Sequence, residues 1–142
     1  MGTRAIYFFE DHDGSVYGVY KHYDNYPSGA ADFIENAKAY AWEFPRFEAD
    51  DFAAAFVAAN KAKKGGEVRL LQMFDHTSID MVMEDNKWCD YYYVITFDRE
   101  ENTNGLVVEI WETRAFTSEN TGFKKIAEMS HERMKHAYRE AS

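Results

Sequence analysis

Apolar and aromatic residues cluster in runs at the start of this chain. Thr3 to Glu10 (TRAIYFFE) and Ser15 to Asp24 (SVYGVYKHYD) are both β-rich. Between them, Asp11-His12-Asp13-Gly14 carries an Asp-Gly step that tolerates the positive φ angles of a tight turn. The pattern predicts a hairpin whose strands are apolar on each face, and hence a sheet covered on much of both sides. Turn formers follow at Asn25-Tyr26-Pro27-Ser28-Gly29, and Ser28 is placed to cap a helix over about 30–42 with Phe33, Ile34, Ala37 and Ala41 at helical spacing. Glu43 to Ala49 reads as a linker anchored by Phe44 and Phe47. A second helix begins at Asp50 or Asp51 and shows the stripe Phe52, Ala55, Phe56, Ala59, with Lys61, Lys63 and Lys64 near its negative end and Gly65-Gly66 as its stop.

Glu67 to Phe74 predicts a strand, and Ser78 to Met83 a weaker one. Tyr91 to Asp98 and Leu106 to Arg114 predict a second hairpin through Asn102-Thr103-Asn104-Gly105. A final helix is expected from about Asn120 to Tyr138, with Phe123, Ile126, Ala127, Met134 and Ala137 on its apolar side. The order is β-β-α-α-β-(β)-β-β-α. It reads as one α+β domain over residues 1–142, an antiparallel sheet of about 4–6 strands with three helices.

Composition narrows the functional classes. The chain has 142 residues with 17% aromatic content, enough to bury a core, so general disorder is excluded. Its net charge of −9 repels nucleic-acid backbones and anionic membranes, which leaves basic protein surfaces or small ligands as partners. The single cysteine, Cys89, forms no intramolecular disulfide and suits a reducing interior. With no signal-like or membrane-spanning stretch, a cytoplasmic location is expected.

No motif names a reaction. His131 and His136 sit five positions apart, about 140° around a helix, whereas a zinc-protease pair needs four. The Asp11-His12-Asp13 cluster matches no calcium loop, and Cys89 has neighbours, Lys87 and Asp90, of opposite pull. Nucleophile elbows, phosphate loops and dinucleotide fingerprints are absent. No catalytic residue, metal site or cofactor is therefore expected.

The segment Tyr20 to Gly29 (YKHYDNYPSG) stands apart, because it leaves a strand and enters a helix N-terminus where free N–H groups favour an anionic group. His22, Tyr23, Asp24, Tyr26 and Gly29 there can bind a ligand or anchor a partner. The same residues can equally build a turn, with Asp24 capping it, Asn25 in the left-handed conformation and Pro27 setting the helix entry. The opening Met1-Gly2-Thr3-Arg4, together with Tyr23-Asp24-Asn25-Tyr26-Pro27-Ser28-Gly29, resembles a group of short phage, prophage and bacterial proteins. These begin MGTR and carry a Tyr-Asp-Gly-Tyr-Pro-x-Gly segment. The likeness covers about the first 35 residues, and Asn25 departs from the group's usual glycine. The resemblance implies a context with no established activity: a small accessory protein acting on host machinery. It also draws attention to Arg4, which can reach the Asp24 corner if the first two strands are neighbours.

Three readings result. The first is a non-enzymatic binder that inhibits a host protein with a basic surface, in an anti-defence or anti-CRISPR role. The second is a nucleotide-like small-ligand binder or enzyme using the Arg4, Asp24 and Tyr26 corner. The third is a homodimer built on an aromatic sheet face.

Overall fold

A computed structural model of the chain describes residues 3–61, 67–71, 78–85, 89–98, 105–113 and 123–138. The elements are β1 (Arg4–Glu10), β2 (Val16–His22), α1 (Pro27–Lys38), α2 (Ala49–Asn60), β3 (Val68–Leu71), α3 (Ile79–Asp85), β4 (Tyr91–Asp98), β5 (Gly105–Thr113), β6 (Phe123–Ser130) and α4 (His131–Ala137). The six strands form one sheet in the order β3-β2-β1-β4-β5-β6. The fold class is α+β, as the sequence predicts.

The first hairpin closes at the expected turn. Gly14 takes a φ of 92°, its N–H donates to Asp11 O, and the Asp11 N–H donates to Ser15 O. The β4–β5 hairpin also forms, with Tyr92 opposite Trp111 and Ile95 opposite Val108. β1 and β4 lie at the centre of the sheet, which explains why AIYFF and YYYVI are apolar at successive positions: neither face of these strands meets water. Ala5, Tyr7, Phe9, Tyr93 and Ile95 point to a core closed by α1, α2 and α4. Ile6, Phe8, Tyr92 and Val94 point the other way, to a smaller cluster with Val82, Met83 and Cys89.

Several expectations are corrected. The sheet is mixed, because β1 and β4 pair in parallel with Ala5 opposite Tyr91 and Phe9 opposite Ile95. Only a long connection can return a chain in that sense, and β2, α1, α2, β3 and α3 supply it. The weak strand at Ser78 to Met83 is the helix α3, begun by Ser78, whose Oγ accepts from Met81 N–H. There are thus four helices among the described residues. The long final helix is instead β6 followed by α4. Phe123, Ile126 and Ala127 fit helical spacing, but pairing with β5 across a bulge at Ile110/Trp111 overrides that local preference. α4 begins at Ser130, whose Oγ accepts from Arg133 N–H. α1 starts at Pro27, ahead of the predicted Ser28 cap, because a proline with no N–H and a preset φ suits the first helical position. The Gly65-Gly66 stop, Lys63, Lys64, the 99–104 part of the second turn and the end of the third predicted strand lie outside the described residues.

Among the described residues no helix is long and apolar enough to cross a membrane.

Candidate functional site

The corner between β2 and α1 is built from beneath. After His22, Tyr23 and Asp24 adopt φ of 76° and 60°, a region that costs a non-glycine residue roughly 1–3 kcal/mol and persists only where surrounding contacts enforce it. Asn25 enforces it. Its side chain is fully buried, and Nδ2 shares its hydrogens among the carbonyls of Thr3 (2.7 Å), Lys21 (2.9 Å) and Tyr23 (3.0 Å). Oδ1 accepts from the Tyr7 hydroxyl at 2.6 Å, and the Asn25 carbonyl accepts from the Tyr93 hydroxyl at 2.5 Å. Burial raises the pKa of both phenols well above its ordinary value, so they remain donors.

Two further residues complete the support. Lys21 is buried, with its ammonium 3.7 Å from the centre of the Phe33 ring and donating to the Tyr23 carbonyl at 3.0 Å. Desolvation lowers its pKa. Gly29 is required by contact: a Cβ there would fall 2.0 Å from the Asp24 carbonyl oxygen. The motif's glycine is therefore a seat for its own turn, within the first turn of α1.

What remains exposed is the upper surface. Tyr23 is 46% and Tyr26 58% exposed, with Asp24 between them in sequence and open to solvent. Asp24 makes no ion pair among the described residues, and no side-chain cap closes the start of α1. The Tyr23 ring packs edge-on against His22 at 4.0 Å, and His22 Nδ1 lies 2.9 Å from the Tyr20 hydroxyl. Tyr26 meets Tyr91 edge-on at 5.9 Å. Tyr91 stacks on Tyr93 and Tyr93 on Tyr7, so a ladder of rings runs from the surface into the core.

Of the predicted site residues, His22, Tyr23, Asp24, Tyr26 and Gly29 share this corner. Arg4 stands opposite His22 in the β1–β2 ladder. Its backbone N–H donates to the Asp90 carboxylate at 2.9 Å, its carbonyl accepts from Asp90 N–H, and its charge acts on Tyr20 and Cys89. Asn25 is not the left-handed residue; Tyr23 and Asp24 are. The sequence pattern assigns Asn25 a turn conformation rather than a buried supporting role, and assigns Lys21 no role. The signal for Lys21 was its position two residues from Val19, on the same face of the strand.

Elsewhere, Asp11 has a structural task, accepting from Ala49 N–H at 2.9 Å at the start of α2 and contacting His12. The described clefts beside it, about 320 and 410 Å3, share Asp11, His12 and Phe47 and lie at the opposite end of the sheet. Cys89 is buried and burial pushes its thiol up to about 12, which removes it as a nucleophile.

His131 and His136 do not converge: the first is buried and the second exposed. His131 Nε2 lies 2.9 Å from the Ala31 carbonyl, while its Nδ1 is buried without a hydrogen-bond partner. Such an unpaired buried atom costs about 1–3 kcal/mol. Burial, aided by the Lys38 and Lys135 charges and opposed by Ala31 and Glu35, holds this imidazole down at about 4.

No protein-family model, curated protein or solved structure matches this chain.

Proposed function

We propose that the chain is a non-enzymatic binding protein whose Tyr23-Asp24-Tyr26 corner docks onto a basic surface of a host protein and inhibits it. The observation that carries this reading is the corner's construction. Two successive non-glycine residues are held in the left-handed region by a buried asparagine, and the side chains thereby projected are left in solvent. Rigid tyrosines lose little entropy on docking and are favoured interface anchors. Asp24 offers a carboxylate to an arginine or lysine, and the tyrosine faces offer cation–π contact to the same group. A net charge of −9 adds electrostatic steering toward a basic partner.

The geometry gives less support to a nucleotide-like ligand. The space above Gly29 is taken by the Asp24 carbonyl, and the Arg4 side chain is hydrogen-bonded to Tyr20. The clefts described lie at the far end of the sheet.

A photo-crosslinking amino acid at position 26, expressed in the host, captures the partner for identification. Titration of the purified partner then compares wild type with Asp24→Asn and Tyr26→Ala, with Tyr40→Ala as an exposed control. The reading expects both corner variants to weaken binding about tenfold or more while remaining folded, since truncation of an anchor costs about 2 kcal/mol or more. Unchanged affinity in both would refute it.

A further inference from the structure

Away from the corner, α1 and α4 bring together three ligand-type side chains from opposite ends of the sequence. Glu35 on α1 and His131 and Glu132 on α4 offer one ligand atom each, all within 4.8 Å of one another. We propose that Glu35, His131 and Glu132 form a binding site for a divalent transition-metal ion of the zinc class, with Nδ1 of His131 as its nitrogen ligand. The proposal is independent of the docking reading.

The imidazole carries the argument. The Ala31 carbonyl can only accept, so Nε2 at 2.9 Å must hold the ring proton, which leaves a bare lone pair on Nδ1. His131 is only 1% exposed, and that lone pair has no partner. It lies 4.0 Å from Glu35 Oε1. A ring nitrogen fixed to a backbone carbonyl, with the other nitrogen free toward carboxylates, is the arrangement by which proteins orient a metal-bound histidine. An ion about 2.1 Å from each atom fits between Nδ1 and Glu35 Oε1, and an advance of the exposed Glu35 carboxylate by roughly half an ångström brings the angle to tetrahedral. One nitrogen and two carboxylates favour zinc-class ions over calcium or magnesium, which take all-oxygen sets. His131 and Glu132 also line a cleft of about 340 Å3, which provides an entry path.

Two ammonium groups share the carboxylates. Lys135 lies 2.8 Å from Glu35 and 3.1 Å from Glu132, and Lys38 lies 3.4 and 3.2 Å from the same pair. They neutralise the carboxylates and must yield to an incoming cation. Removing one should therefore strengthen metal binding, an effect opposite to that of removing a ligand.

The test uses the full chain treated with EDTA and then titrated with Zn2+ against a chromophoric chelator, with imidazole nitrogen resonances followed in parallel. The expected result is one Zn2+ per chain, a shift at His131 Nδ1 with the Nε2 proton retained, and an affinity about tenfold or more weaker in Glu35→Gln. Lys135→Met should bind more tightly than wild type. Glu35 and Lys135 both reach solvent, so neither variant should unfold the chain. Absent binding, equal binding by wild type and Glu35→Gln, an unmoved Nδ1 resonance, or weaker binding by Lys135→Met would each overturn the proposal.

Discussion

Asn25→Ala tests whether the corner is held from below. The substitution removes the acceptor of the Tyr7 hydroxyl, and Tyr7 is fully buried, so that O–H is left without its partner at a cost of about 1–3 kcal/mol. It also removes the donor to the Thr3 carbonyl, worth about 1 kcal/mol. The carbonyl of Tyr23 retains Lys21, which limits the further loss. The void left by the amide, roughly 30 Å3, adds somewhat under 1 kcal/mol. The total is about 3–5 kcal/mol, a large share of the roughly 5–15 kcal/mol that holds a domain folded. At ~3–5 °C per kcal/mol for a chain of this size, the melting temperature should fall by about 10–20 °C. Urea unfolding followed by circular dichroism measures the loss directly. Tyr7→Phe supplies the decisive comparison, because in the Asn25→Ala background it removes the orphaned donor. The double variant should be more stable than the sum of the single changes predicts, by about 1–3 kcal/mol. Additivity within ~0.5 kcal/mol would refute the reasoning, since it would mean the buried Asn25–Tyr7 hydrogen bond does not govern the corner.

Gly29→Ala places a Cβ against the Asp24 carbonyl and should destabilise the chain by about 1–3 kcal/mol in the same urea assay; wild-type stability would show that the carbonyl can move aside freely. Cys89, buried and with its thiol raised to about 12, should resist iodoacetamide at mildly alkaline pH in the native state and react fully once urea unfolds the chain. His131, held at about 4, should make stability pH-dependent. Because its folded pKa lies below the ordinary 6.5, its contribution is present above pH 6.5 and disappears as pH falls through 4. The loss is about 3 kcal/mol. Unfolding curves at pH 7 and pH 4 in EDTA, compared between wild type and His131→Gln, should isolate that share.

Local pattern carried the elements whose geometry local chemistry decides. The Asp-Gly step made the first turn, the apolar runs marked the central strands, and the Phe52–Phe56 stripe marked α2. The corner itself was legible as a place, because a strand, a turn cluster and a proline at a helix start follow one another in the chain. Its internal logic was not. Asn25 read as the left-handed member of the turn, and only the packing of β1 and β4 beside it shows that Thr3 and Tyr7 hold its side-chain amide and Tyr93 its backbone carbonyl.

The errors share that cause. Residues 123–130 have helical spacing and still form a strand, because β5 presents an open edge whose hydrogen bonds and side-chain pairing outweigh local preference. Residues 78–83 read as strand, and the segment instead forms the helix Ile79–Asp85 over the apolar cluster of Ile6, Phe8 and Tyr92. The parallel β1–β4 pairing depends on how five intervening elements pack, which no local window contains. His131 was read only as a helix residue turned away from His136, whereas contact with α1, a hundred residues earlier, buries its ring and leaves one nitrogen facing Glu35. Composition and short-range spacing thus determined the fold class and the hairpins, while the exposure of Tyr23 and Tyr26 came from the structure. Burial, strand partners and the meeting of distant carboxylates with a histidine were decided by tertiary structure, because each depends on residues far apart in the chain coming within hydrogen-bonding distance.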